Sequence, residues 1–89
     1  MRIAQVAPLY EAVPPRFYGG TERVVAHLTD ALVALGHDVT LFASAEAQTA
    51  ATLAPVRDQA IRLDPAPLKS DLAAHLHQLA EVRARAAEF

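Results

Sequence analysis

No cysteine occurs in the 89 residues, so neither a disulfide nor a thiolate metal site can form, and the composition fits a reducing interior. Basic residues are also few: eight Lys and Arg against ten Asp and Glu leave a formal net charge of −2. With no basic block along the chain, electrostatics gives no ground for nucleic acid or an anionic membrane as partner. No apolar run approaches the roughly 18–20 residues that span a bilayer, so no membrane span is expected. The opening Met1-Arg2-Ile3-Ala4-Gln5-Val6 lacks the apolar region and small-residue cleavage site of a signal peptide. Together these absences predict a cytoplasmic domain.

Hydrophobic residues make up 53% of the chain, but 20 of them are alanine. Leu, Val, Ile and Phe supply 24 side chains, enough for one core layer in a single small domain spanning residues 1–89. The run Ile3-Ala4-Gln5-Val6-Ala7 is continuously apolar rather than alternating, as suits a strand covered on both faces of a parallel sheet. Glu22 to Leu35 reads as a helix, because Val24, Leu28, Ala31, Leu32 and Leu35 recur at helical spacing with Val25 at the stripe's edge. Thr21 is placed to cap it, Glu22 complements the dipole in its first turn, and Gly36 stands where a left-handed glycine ends a helix. Asp38 to Ala43, rich in β-branched and aromatic residues, reads as the next strand.

Strand, loop, helix and strand in that order form a βαβ unit. The expected fold class is therefore α/β, a partial Rossmann-like parallel sheet. Ser44 to Leu53 is polar and alanine-rich without a clear period, and a third, shorter strand is expected within Val56 to Leu63, around Ala60-Ile61-Arg62-Leu63. After the break at Asp64-Pro65-Ala66-Pro67, a second helix is expected from Ser70, its cap, to about Glu88. Leu68, Leu72, Leu76, Leu79, Val82 and Ala86 would line its inner face, leaving Arg83 in the stripe to snorkel outward or find a carboxylate.

The connection over residues 8–20 is the informative stretch. Strand-to-helix loops usually have about 2–6 residues, and much longer ones tend to be functional or disordered. This one holds Tyr10, Phe17 and Tyr18, three of the five aromatics, which favours a packed functional loop. It closes in Gly19-Gly20 at the start of the helix. Two residues without Cβ let a backbone approach a ligand closely, and a helix N-terminus favours an anion such as phosphate. The histidines suggest less. His37 follows the helix-ending glycine and is expected to be structural, and His27 is expected to be partly buried beside the first stripe. His75 and His77 lie about 200° apart around a helix and cannot share a metal from it, so both are expected on solvated faces. Neither a metal site nor a catalytic constellation of the chain's own is expected, and no cofactor.

Gly19-Gly20-Thr21-Glu22 and Leu35-Gly36-His37-Asp38-Val39-Thr40, in this structural order, resemble the N-terminal half of retaining glycosyltransferases of the two-Rossmann-domain (GT-B) type, family 4. The stretches Ala7-Pro8-Leu9-Tyr10 and Tyr18-Gly19-Gly20-Thr21-Glu22 look like one bacterial subgroup of that family. The resemblance covers residues 1 to about 64 well and the last helix more loosely. It implies transfer of a hexosyl group from a nucleotide-diphosphate sugar to an acceptor, usually without a metal. In that family the N-terminal domain mostly binds the acceptor, and its glycine loop faces the cleft near the donor's diphosphate. Carried over, Gly19 and Gly20 would offer backbone N–H groups to phosphate, with Arg16, Tyr18 and Thr21 as neighbouring substrate-binding candidates.

The same resemblance marks what is missing. The family's Glu-x7-Glu pair belongs to a C-terminal donor domain that this chain lacks. Glu22 and Asp30 match its spacing but sit in the first helix, so they are rejected. The family's next strand should follow Phe89, so the chain is expected to be an N-terminal half-domain fragment, inactive alone. In this type of sheet the first strand is central, and loss of its other neighbour should leave an edge at Ile3 to Ala7 that invites self-association. A stand-alone phosphate- or nucleotide-binding module without activity is the alternative. A dinucleotide oxidoreductase half is disfavoured, since Gly-x-Gly-x-x-Gly is absent and Phe42-Ala43-Ser44 brings no acidic residue for a ribose.

Overall fold

The middle strand of a three-stranded parallel sheet is formed by Asp38–Ser44 (β2), flanked by Arg2–Val6 (β1) and Thr52–Arg57 (β3). A computed structural model of the chain describes residues 1–9, 13–14, 20–58, 60–61 and 71–89. Two helices complete it, Gly20–Ala34 (α1) and Asp71–Ala84 (α2), with a 3-10 turn at Ala86–Glu88. Ile3 pairs with Val39, Val6 with Phe42, and Leu41 with Leu53. Successive side chains alternate across a strand, so Leu41 and Ala43 point to one face and Thr40 and Phe42 to the other. On the first face Leu41 and Ala43 meet Ala7, Val13 and Ala26, with Val25, Ala47, Ala51 and Leu53 packed around them. On the second face the ring of Phe42 meets Phe89 edge-on at 6.1 Å, and the Arg85 guanidinium lies 5.4 Å from its centre. The chain thus wraps both faces of a parallel sheet, the α/β, partial Rossmann-like arrangement expected.

Gly36 ends α1 with φ +93°, a conformation that only glycine adopts without strain, and its N–H donates to the Val33 carbonyl. Asp38 N–H then donates to the Met1 carbonyl at 2.9 Å, which starts the β1–β2 ladder.

The third strand corrects the sequence expectation. It lies at Thr52–Arg57, whereas Ala60 is a buried single residue and Ile61 sits in a 3-10 turn; Arg62 and Leu63 lie outside the described residues. Pro55 hid it, because proline cannot donate to a ladder and is excluded from central strands. Among the described residues β3 is an edge strand, and its register slips beside Pro55, where Ala43 faces Pro55 but Ser44 faces Arg57. Both features accommodate the missing N–H.

The β2–β3 connection has only seven residues, 45–51, where parallel strands usually need a dozen or more. Seven extended residues reach about 23–25 Å. Returning along β3 takes about 17 Å, so an extended strap without a helix suffices. Its small side chains, Ala47 and Ala51, fit against the core, and Ala50 N–H donates to Asp30 Oδ1 at 3.2 Å.

Both helices present a different face to the sheet from the one their leucines predict. In α1 the buried residues are Glu22, Ala26 and Thr29, while Val24 is 64% exposed and Leu28 and Leu35 are exposed too. His27 is likewise exposed, not partly buried. In α2 Gln78 is buried, while Leu72, Leu76 and Leu79 are all more than half exposed. Arg83 is exposed, as the snorkelling expectation requires. At roughly 100° per residue, the buried face lies about 140° around α1 from its apolar stripe and about 100° around α2.

At the C-terminus the Arg85 Nε and Nη2 donate to Glu88 Oε2 and Oε1 at 2.8 and 2.9 Å. These hydrogen bonds, aided by the opposite charge, hold the Glu88 carboxyl below its usual range and raise the Arg85 guanidinium. A depressed folded value means that the folded state binds this proton less tightly than the unfolded chain. The pair's contribution to stability is therefore present above the ordinary carboxylate range and lost as pH falls through the depressed value. An NMR titration should find Glu88 titrating below an unperturbed glutamate, with the shift shrinking in about 1 M salt because the pair is exposed. A normal, salt-independent midpoint would contradict the pairing.

Candidate functional site

Open parallel sheets bind ligands in the crevice beyond the carboxyl ends of their strands. Because α1 runs back from that end to the start of β2, its N-terminus lies at the carboxyl edge. Gly20 is its first residue and is exposed; a Cβ added there would meet nothing within 4 Å, and its φ is not positive. Among the described residues, nothing in the packing or backbone therefore requires glycine at this position. Thr21 is exposed beside it, one residue inside the helix rather than at the cap, and Glu22 turns inward and is buried. The first N–H groups of any helix have no intrahelical acceptor, so this turn presents free donors at an open surface. Arg16, Tyr18 and Gly19 lie outside the described residues. Of the predicted site residues, Gly20 and Thr21 are thus adjacent and exposed at the expected edge.

Below that edge, the chain leaving β1 is held by several hydrogen bonds. Ala7, Leu9 and Val13 are essentially inaccessible. Ala7 N–H donates to the Phe42 carbonyl at 3.0 Å, extending the ladder. Ile61 N–H donates to the Leu9 carbonyl and Gln48 N–H to the Val13 carbonyl, each at 2.7 Å. From α2, Gln78 Nε2 donates to the carbonyls of Ala7 at 2.7 Å and Phe42 at 3.2 Å. Leu9 N–H donates to His75 Nε2 at 3.2 Å.

These α2 contacts correct the expectation that His75 and His77 both lie on solvated faces. His75 is half-buried against the β1 exit, while His77 is exposed with Nε2 3.7 Å from Glu81 Oε1. The two rings point apart, as their spacing requires. Sequence reasoning missed His75 and Gln78 because a polar residue bonded to distant backbone has no local signature. The one available signal was their i, i+3 spacing on a single helical face.

Glu22 and Asp30 have separate structural settings, one buried in the first turn and the other accepting the Ala50 N–H. Eight residues of helix put them about 12 Å apart along the axis, consistent with their rejection as a carboxylate pair. A polar cleft of about 380 Å³ opens between Arg2, Asp38, Thr40, Glu88 and Phe89. It lies at the amino ends of β1 and β2, opposite the Gly20 edge, where parallel sheets do not ordinarily bind ligands. The glycine edge is the stronger candidate. Among the described residues, no helix is long and apolar enough to cross a membrane.

A three-stranded parallel sheet covered on both faces, with a glycine opening its first helix, is a partial Rossmann-like unit of the kind found in nucleotide-handling enzymes. More specifically, the chain belongs to Glycosyltransferase Family 4, whose family model matches residues 18–89. That membership carries a glycosyltransferase-type function in general. No curated protein matches the chain.

Proposed function

We propose that the chain is the acceptor-side, N-terminal part of a glycosyltransferase that moves a hexosyl group from a nucleotide-diphosphate sugar. Its role is to form one wall of the cleft, with the N-terminus of α1 facing the donor's diphosphate. The observation that carries this reading is Gly20. Among the described residues nothing requires it to be glycine, and it stands at a solvent-facing helix start on the carboxyl edge of the sheet, just inside the family match. Backbone N–H groups of Gly20 and Thr21 would meet phosphate oxygens, with Gly19, Arg16 and Tyr18 of the preceding loop beside them. The carboxylates and the rest of the donor site belong to a partner domain, so this chain supplies surface and dipole rather than reacting groups.

Gly20→Ala tests the role directly. Alanine is the better helix former by up to about 1 kcal/mol, so the fold should be unchanged or slightly stabilised. Binding of nucleotide-diphosphate sugars by the protein carrying this segment should weaken tenfold or more, because the methyl enters the space kept open for phosphate. Unchanged affinity in isothermal titration would overturn the role. Appreciable binding by the 89-residue chain alone would instead favour an independent phosphate-binding module.

A second expectation concerns the sheet edge. Among the described residues β1 is paired on one side only, and Val6 on it is 41% exposed. The isolated chain should therefore self-associate through that edge. Sedimentation velocity should show dimers or larger species; a monomer at millimolar concentration would refute this.

A further inference from the structure

We infer that His75, supported by Gln78 on the same face of α2, is a positioning residue for the loop that leads from β1 to the Gly20 edge. The part of this inference that concerns ligand rests on the function proposed above. Ala7, Leu9 and Val13 at the start of that loop are all buried, and Leu9 and Val13 are among the largest fully buried side chains of the described residues. Their side chains anchor the segment, and the partners of their backbone groups fix how it lies there. Leu9 is the junction. Its carbonyl accepts from Ile61 N–H, and its N–H donates to His75 Nε2. Nε2 can accept only when the ring is neutral with its proton on Nδ1, so His75 acts here as a hydrogen-bond acceptor of fixed tautomer.

Gln78, one turn further along α2, donates to the Ala7 and Phe42 carbonyls and so fixes α2 against the ends of β1 and β2. With that strut in place, His75 is held at the height of Leu9, two residues beyond Ala7. The polar face of α2 thereby grips backbone at two successive points, Ala7 and Leu9. Polar residues facing a sheet in place of the available leucines make sense if what they hold is the Ala7–Leu9 backbone, which must keep one position. A segment so held has less ordering entropy to lose on binding.

The test uses the whole chain, its His75→Leu and His75→Gln variants, amide hydrogen exchange, and titration with inorganic pyrophosphate. Glutamine keeps an acceptor, Oε1, that can reach the Leu9 N–H; leucine does not. In His75→Leu, exchange at Leu9 and at its partner Ile61 should rise about tenfold or more, with Leu41 and Phe42 in β2 unchanged. Any pyrophosphate affinity that the parent chain has should fall severalfold. His75→Gln should restore slow exchange and affinity together. A general loss of stability would speed exchange throughout the sheet and would not be rescued by glutamine, so that pattern overturns the inference, as does unchanged exchange at Leu9. If His75→Leu fails to fold, His75→Gln against His75→Asn gives the same comparison, since asparagine stops a methylene short. Should the parent chain not bind pyrophosphate, as the function proposed above expects of this chain alone, the positioning role is decided by exchange at Leu9.

Discussion

Phe42→Ala is expected to bring the chain close to unfolding. Phe42 is 1% exposed at the centre of the middle strand and is the largest fully buried side chain among the described residues. Truncating a buried phenylalanine costs about 3–5 kcal/mol, the lost transfer energy plus the cavity left behind. A chain of this size holds roughly 4–13 kcal/mol in total, so one side chain carries a large share. The loss propagates, because Phe42 is the surface on which Phe89 rests edge-on and over which Arg85 lies. Without it, the 3-10 turn and the Arg85–Glu88 pair lose the contact that folds them back. Urea denaturation followed by circular dichroism should show either no cooperative transition or a midpoint lowered by more than half. Phe42→Leu keeps most of the volume and should cost about 1 kcal/mol. A Phe42→Ala protein within 1 kcal/mol of the parent would mean that the C-terminal segment does not cover this face.

The order of elements was readable because it rests on local signals. The apolar Ile3 to Ala7, the helix ended by Gly36 and the β-branched run from Asp38 each carry their pattern within a few residues. Observed bounds differ from the expected ones by one or two positions. The third strand was not readable, since Ala54 and Pro55 in its middle break both alternation and propensity. It exists because β2 offers an edge and because the strap over residues 45–51 is short enough to deliver it there. That is a tertiary cause, and no window of sequence contains it.

Helix orientation failed for a related reason. Periodicity finds the face with the most leucines, but a helix approaches a sheet closest through small residues. Ala26 lies on the buried face of α1, against Leu41 and Ala43, while Leu28 and Leu35 stay outside. Exposed apolar stripes on both helices are the consequence, and in soluble proteins such patches usually meet something else. For the candidate site, the glycine at the helix start was legible from chain order alone. The supports beneath it were not, because His75 and Gln78 act on backbone 66 and 71 residues away.

Gln78→Leu reverses what periodicity alone would advise. By pattern, leucine at 78 adds apolar surface beside a stripe that already contains Leu79, and glutamine at 79 removes it. The structure predicts the opposite sign for both. Gln78 is 3% exposed and donates at once to the carbonyls of Ala7 and Phe42, whereas Leu79 is 59% exposed. Leucine at 78 leaves the Ala7 carbonyl without the donor that now lies 2.7 Å away, in a place that water does not reach. An orphaned buried acceptor costs about 1–3 kcal/mol, more than the apolar contact regained, because the leucine must still fit space shaped for a planar amide. Gln78→Glu should be worse, since a carboxylate brings negative charge to two carbonyl oxygens and has nothing to donate. Leu79→Gln should stay within about 0.5 kcal/mol of the parent, as surface changes do. Four urea curves decide it: parent and Leu79→Gln together, Gln78→Leu below them, Gln78→Glu lowest. If Gln78→Leu matched the parent while Leu79→Gln fell, α2 would face the sheet with its leucines, and the backbone grip on the β1 exit would not exist.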